Sequence, residues 1–298
     1  MQSGQMLPWF SDTYNELLVR YFNNKLHHAL LFIGAKGIGK AKLVAGLSDT
    51  LLCKKPTPQG ACNACQSCHL RLAGNHPDFY VLESEKQLGV DKIREGIAKL
   101  SGTAQMGGNK VLVIPVADSM TEAAANALLK TLEEPTNNTY LLLITDSLNR
   151  IMPTILSRCE KHSLGLPDVQ SSLAYLQQQG VQDASEALLE AYGYAPLRLE
   201  AALNSESDFN YRTFTDGMGA LLASSGSQQL LALANKWQSD AVQVATWCQH
   251  MAHKAYVERQ QVQDYARYRA CVEAVKTLQH PGVNKSMVLV SILKQFQR

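Results

Sequence analysis

Four short apolar runs mark the first half of the chain, each unbroken and bounded by polar residues. They are HHALLFIG (27–34), DFYVL (78–82), KVLVI (110–114) and YLLLIT (140–145). Runs of this length without alternation predict strands buried on both faces. Residues 40–52, about 90–100 and 121–134 read as helices lying between them. Strands alternating with helices predict a mainly parallel sheet covered by helices on both sides.

The pattern changes after LGLP (164–167). No further apolar strand is expected. Residues 168–179, 183–192 and 196–204 read as short helices around a Gly-Tyr-Ala-Pro break at 193–196. From about residue 207 onward the segments lengthen, and Leu230, Leu233 and Trp237 share one helix face at i, i+3, i+7. Leu231, Val242, Ala245, Trp247, Val272, Val275, Leu278, Val288 and Leu293 are further expected core positions. The chain therefore divides into an α/β domain over 1–165, a small helical domain over 166–205 and a helical C-terminal domain over 206–298. No internal repeat or low-complexity segment interrupts it.

Composition adds limits. At about 150 residues per domain, 298 residues correspond to roughly two domains, with one or three also allowed. Apolar residues make up 46% and charged residues 18%, the balance of a soluble globular protein that needs no disulfide staples. A net charge of +2 is too small for an autonomous nucleic-acid binder, although it leaves room for DNA contact inside an assembly. The opening MQSGQMLPWF lacks the basic-then-apolar order of a secretory signal, and stretches such as 111–117 fall short of a membrane span. A cytoplasmic protein is expected. Met6 is a candidate natural start, which leaves residues 1–5 as either native or appended.

Two motifs carry chemistry. Gly34-Ala-Lys-Gly37-Ile-Gly39-Lys40-Ala41 has the spacing of a phosphate-binding P-loop between a strand and a helix. Its glycines let backbone N–H groups turn toward phosphates, Lys40 would reach the outer ones, and the helix N-terminus adds partial positive charge. The position after the lysine, which normally supplies a hydroxyl to Mg²⁺, is Ala41. The strand at 110–114 runs into Pro115-Val116, and the first acid after it, Asp118, comes about three residues late to hold a metal. ATP hydrolysis is therefore not expected, and retention of ATP is not expected either, although Lys40 and the glycines survive.

The second motif is Cys53, Cys62, Cys65 and Cys68, spaced C-x8-C-x2-C-x2-C, which takes up four of the seven cysteines. In a reducing compartment this clustering favours a closed, tetrahedral, structural Zn²⁺ site over disulfides. Unrelated buried thiols and C-x-x-C redox chemistry are the alternatives. His69 and His76 lie nearby; His69 directly follows Cys68, so the two should not share one ion. Cys159, Cys248 and Cys271 read as packing residues.

Two later segments complete the picture: Ala123-Ala-Ala-Asn126-Ala-Leu-Leu-Lys130-Thr-Leu-Glu133-Glu134-Pro135 and Thr154-Ile-Leu-Ser157-Arg158-Cys159. With the P-loop and the four cysteines they resemble the bacterial clamp-loader subunits of the AAA+ class, strongly over residues 6–165. The missing metal-binding residues make the chain look like the non-hydrolysing branch rather than the ATP-hydrolysing one. The C-terminal part fits as a helical domain of suitable length, with Val283-Asn284-Lys285 before the last helix.

The resemblance implies an AAA+/RecA-like P-loop domain with a zinc knuckle, a small helical lid and an all-α collar. It implies a hetero-pentameric ring with clamp-loader ATPase subunits and the delta subunit, acting on a sliding clamp and primer-template DNA as part of the DNA polymerase III holoenzyme. It implies that Arg158 acts in trans as an arginine finger on a neighbour's ATP, and that Thr145 and, more weakly, Arg198 occupy nucleotide-sensor positions as relics. Independently, a guanidinium is always charged and its planar fork suits phosphate oxygens. Glu133 and Glu134 stand in the last turn of a helix, where the dipole disfavours anions, so a basic group or a partner subunit is expected to meet them, with ordinary solvated charge as the alternative. The alternatives are an ATP-hydrolysing motor subunit and a stand-alone zinc-dependent DNA-binding module.

Overall fold

The computed structural model describes residues 6–205, 209–223, 226–280 and 282–297. The question of whether residues 1–5 are native falls outside the described residues. Contacts group the chain into two compact units, Met1–Glu186 with Tyr194–Glu200, and Ala187–Gly193 with Ala201–Arg298. The expected lid stretch, 166–205, is shared between them.

The first unit begins with helix α1 (Ser11–Phe22), followed by β1 (Ala29–Ile33), α2 (Lys40–Leu52), α3 (Gln66–Leu72), β2 (Phe79–Val81), α4 (Val90–Ser101) and β3 (Lys110–Ile114). It continues through α5 (Glu122–Glu133), β4 (Thr139–Thr145), α6 (Pro153–Leu156), β5 (Glu160–Ser163) and α7 (Val169–Gln178). Then come α8 (Glu186–Ala191) and α9 (Pro196–Leu203), which straddle the two units.

The five strands form one parallel sheet in the order β2-β3-β4-β1-β5. In register, Leu31 lies opposite Leu143, and Leu112 opposite Leu141. The central strands are buried almost end to end, which is why their sequences run apolar without alternation. Against one face pack Leu88, Ile93 and Leu100 near α4 and Ala124, Leu128 and Leu132 of α5, while Leu129 is half-buried. Helix α5 starts cleanly because the Thr121 side chain accepts a hydrogen bond from the Ala124 N–H at 3.2 Å.

Strand β5 does not follow the apolar pattern. Its sequence is Glu-Lys-His-Ser, it occupies the edge, and its residues alternate between half-buried and exposed. Glu160 forms an ion pair with Arg20 of α1 and lies 2.7 Å from His162 Nε2. The His162 ring stacks on Phe32 at 5.4 Å. Burial holds the His162 pKa below its ordinary value despite the pull of Glu160.

The second unit continues with α10 (Tyr211–Ala223), α11 (Ser227–Lys236), α12 (Ala241–Arg259), α13 (Val262–Thr277) and α14 (Lys285–Lys294). Phe214, Trp237 and Trp247 form its aromatic centre, and Trp247 Nε1 donates to the Ala191 carbonyl at 3.0 Å. The carboxylate of Asp264, only 1% exposed, is held by Arg259 at 3.1 Å and Arg267 at 3.0 Å. Asn284 caps α14 by accepting from the Met287 N–H at 3.1 Å.

Ala245, Trp247, Leu278 and Leu293 are buried as expected. Leu231 and Val242 are not: they are 50% and 41% exposed. Helix α11 turns Leu230 and Ala234 inward, and α12 turns Ala241, Val244 and Ala245 inward. The neighbouring Leu231 and Val242 are about 100° out of phase with those stripes. Leu233, Val272, Val275 and Val288 are only half-buried.

Candidate functional site

The P-loop residues lie between the end of β1 and the start of α2, so Gly34, Gly37, Gly39 and Lys40 form a strand-to-helix turn. Gly37 and Gly39 have φ of 86° and 98°, a region that side chains with a Cβ avoid. Sterics add to this requirement. A Cβ on Gly39 would collide with Leu7, and one on Gly37 would fall 2.7 Å from the Arg198 Cβ.

The chain's own groups cover this loop. Trp9 Nε1 donates to the Ile38 carbonyl at 2.8 Å, and the Leu197 N–H donates to the Gly37 carbonyl at 3.1 Å. Lys40 is 5% exposed, and its ammonium donates to Gly34 O at 2.7 Å, Ala35 O at 2.9 Å and Asp146 Oδ1 at 2.6 Å. An ammonium has three donors, and all three are used within the chain. Asp146 therefore supplies the negative charge that a phosphate would supply in a loaded P-loop.

Thr145, 1% exposed at the end of β4, donates its hydroxyl to Asp118 Oδ1 at 2.9 Å and accepts from the Ser147 N–H at 3.0 Å. Asp118 sits in a short turn after β3 and is tied into this pair. The residue after Lys40 is Ala41, which has no side-chain oxygen. The structure thus brings Gly34, Gly37, Gly39, Lys40, Thr145 and Arg198 into one neighbourhood. It adds Asp146, Leu7 and Trp9, which the sequence reading did not single out.

The four cysteines meet beside α3. Their sulfurs all lie within 4.8 Å of one another. Individual separations are 3.5 Å for Cys65–Cys68, 3.6 Å for Cys53–Cys68, and 3.9 Å for both Cys53–Cys65 and Cys62–Cys68. Four thiolates around zinc at about 2.3 Å would stand about 3.8 Å apart, so the donor set fits that ion. The N–H groups of Lys55 and Cys62 point at Cys53 Sγ from 3.4 and 3.3 Å, which favours its thiolate, although burial outweighs them and raises its pKa.

The protons are unevenly held in this cluster. Burial opposes ionisation of Cys65, but backbone N–H groups outweigh it and bring its pKa down to about 6. Burial and neighbouring sulfurs push Cys68 up. Neither histidine joins the set: His69 is exposed, and His76 is engaged by Ser67 Oγ at 2.7 Å and the Asp78 N–H at 3.1 Å. Cys159, Cys248 and Cys271 are buried, and burial raises the pKa of each, as suits packing thiols.

Arg158 stands apart from the loop, between α6 and the edge strand β5. Its Nε donates to Glu133 Oε1 at 2.6 Å, and its NH2 pairs with the same carboxylate. Its NH1 donates to Thr154 O at 2.9 Å and to Ser157 Oγ at 3.1 Å. The side chain remains 30% exposed. Glu133, at the end of α5, thus meets a basic group of its own chain.

The comparisons with known proteins agree with one another. Residues 10–167 match the family model described as DNA polymerase III, delta subunit. The chain is 35% identical to the DNA polymerase III subunit delta' of Yersinia pestis, over 97% of this chain and 86% of that one. It is 39% identical to the Pseudomonas aeruginosa subunit delta' (79% of this chain, 72% of that one) and 36% identical to the Escherichia coli one (78% and 72%). A solved gamma subunit-related protein of Thermotoga maritima shares the fold with a TM-score of 0.50 at 17% identity, covering 96% of this chain and 97% of that one. With this likeness running across nearly the whole sequence, the chain belongs to the delta' subunit family of DNA polymerase III.

Proposed function

We propose that, within the clamp loader to which its family belongs, this chain is a subunit that does not hydrolyse ATP, and that it presents Arg158 to nucleotide bound by a neighbouring ATPase subunit. Its work is positional and electrostatic. A rigid α/β domain holds the arginine, a lid and a helical collar join it to the ring, and the ring places a sliding clamp on primed DNA. The partners in this reading are the clamp-loader ATPase subunits and the delta subunit, in a cytoplasmic hetero-pentamer.

The observation that carries the reading is the contrast between the two cations. Lys40 is buried and fully engaged by Gly34, Ala35 and Asp146, in a loop whose next residue offers magnesium nothing. Phosphoryl transfer depends on metal and positioned charge, so this loop lacks the means for it. Thr145 and Arg198 in this reading are relics of sensing. Arg158, by contrast, keeps a delocalised positive fork at the edge of the sheet.

The four cysteines have a separate role. Cys53, Cys62, Cys65 and Cys68 would hold one zinc ion, which supplies four cross-links to a loop too short for its own core. No position is left open for a substrate.

The test is reconstitution with the cognate clamp-loader subunits. Arg158→Ala should lower turnover at the neighbouring ATPase site by about 10³-fold or more and the rate of the complex by that site's share, while the purified chain alone turns over no ATP. Equal rates for the wild-type and Arg158→Ala complexes would remove the finger assignment. Magnesium-dependent turnover by the solitary chain, lost in Lys40→Ala, would make it a motor subunit.

A further inference from the structure

We infer that Glu133 is a positioning residue for Arg158: it holds the guanidinium in the orientation a phosphate would accept and must be displaced before the arginine can engage one. The inference rests on the reading of Arg158 as a finger acting across an interface.

Glu133 is the last residue of α5, where the helix's negative end disfavours a carboxylate. Nothing in the helix itself favours an acid there. What the position offers is reach to Arg158, 25 residues later in the chain.

The geometry of the pair is specific. Five N–H groups leave a guanidinium. A single Glu133 oxygen, Oε1, meets both Nε and NH2, and Thr154 O and Ser157 Oγ take NH1. The fork is held from two sides, by the last residue of α5 and by the one-turn helix α6 with its cap residue Ser157. Glu133 fills the side of the fork formed by Nε and NH2 with one oxygen only; a terminal phosphoryl group carries more charge and more oxygens and can address the same fork with two. Glu133 therefore acts as an internal placeholder that a nucleotide's terminal phosphate can displace and a neutral surface cannot.

The pair is partly exposed: Arg158 is 30% and Glu133 50% accessible. Exposed pairs contribute little, so displacement should be easy and the effect on binding small, about two- to fivefold. That is the scale wanted of a catch that opens each time the neighbour loads a nucleotide.

The experiment uses the complete reconstituted clamp loader and measures kcat and apparent KM for ATP. Glu133→Gln keeps shape and hydrogen bonding while removing the charge. It should lower KM about twofold to fivefold with kcat nearly unchanged, and the effect should shrink at high salt. The effect should vanish when Arg158 is already alanine. Glu133→Asp should restore most of the wild-type KM, and Glu134→Gln, a neighbouring exposed acid, should behave as wild type.

An unchanged KM in Glu133→Gln overturns the inference. So does the same KM change in the Arg158→Ala background, because the acid would then act on something else. If Arg158→Ala itself leaves the rate intact, the finger reading falls first and the inference falls with it, and that outcome is distinct from the other two. In the isolated chain, the Arg158 Nε–H signal should be protected from exchange in wild type and lose protection in Glu133→Ala. Equal protection would likewise overturn the inference.

Discussion

Two cations lie on the same sheet domain, and they have met opposite fates. Lys40 sits at the base of a phosphate loop, 5% exposed, enclosed by two carbonyls and Asp146. Arg158 sits beside an edge strand, 30% exposed, paired with Glu133. Both are neutralised within the chain, so charge balance alone does not distinguish them. What distinguishes them is the cost of release. Withdrawing Lys40 would strip a buried ammonium of its three hydrogen bonds, in a loop that Leu7, Trp9 and Leu197 also cover. Withdrawing Arg158 breaks a pair already in contact with water. Leaving buried polar groups without partners is costly, whereas breaking an exposed pair is not. The lysine is enclosed by its own loop, whereas the arginine is reachable from solvent.

The comparison can be broken most forcefully at the arginine. Arg158→Lys keeps the charge but loses the planar fork, so it should lose most of the factor of about 10³–10⁵ that a finger supplies. A reconstituted complex in which lysine restores more than about half the rate would reduce Arg158 to a point charge.

A smaller effect is expected at the cysteines. Elemental analysis should find one zinc per chain. Chelation or Cys62→Ser should lower the melting temperature and abolish hydrogen-exchange protection over 53–68, because the metal's binding energy is folding energy there. Unchanged melting would mean that the thiols merely pack. Thiolates must be free of protons to bind, so zinc should also be lost as pH falls.

Next comes the buried lysine. Asp146→Asn should destabilise the first unit by about 1–2 kcal/mol, less than a fully buried pair would lose because Asp146 is 45% exposed. Lys40→Met in the same chain should recover most of that loss in denaturant unfolding. If the double variant is no more stable than the single one, Asp146 is not the counter-charge of Lys40.

The smallest effect lies at the edge strand beside Arg158. Burial depresses the His162 pKa, and the charged groups facing it are Glu160, Arg20 and Glu16. A depressed folded pKa means that the neutral ring stabilises the fold above the ordinary histidine range, about 6.5, and that this contribution fades as pH drops through it. His162→Gln should flatten the decline of stability between about pH 7 and 5. The same slope in both proteins would place the titration elsewhere.

These contrasts also explain what could be read in advance. Strands β1, β3 and β4 were legible because central parallel strands are apolar throughout. Strand β5 was not, because Glu-Lys-His-Ser is held by backbone pairing to β1 and by Arg20, with no apolar run to betray it. Helix α1 was passed over although Tyr14, Leu17 and Leu18 lie on one face. Leu231 and Val242 were misplaced because α11 and α12 bury narrow stripes. At the site, the P-loop and the cysteines were visible because their spacing is local. Asp146, 106 residues from Lys40, carried no local signal. Glu133 lay between these cases: its unfavourable place on the helix announced a basic partner, but only the fold identified it as Arg158.

One measurement bears most directly on the claim that the chain lends one cation and has retired the other. Two complexes would be assembled, identical except that one carries Lys40→Met and the other Arg158→Ala in this chain, and their clamp- and DNA-stimulated ATPase rates compared with wild type. Lys40→Met should leave the rate within about twofold of wild type, and Arg158→Ala should remove the neighbouring site's share of it, with turnover at that site falling about 10³-fold or more. A collapse with Lys40→Met in a complex that still assembles, or an intact rate with Arg158→Ala, would contradict that claim.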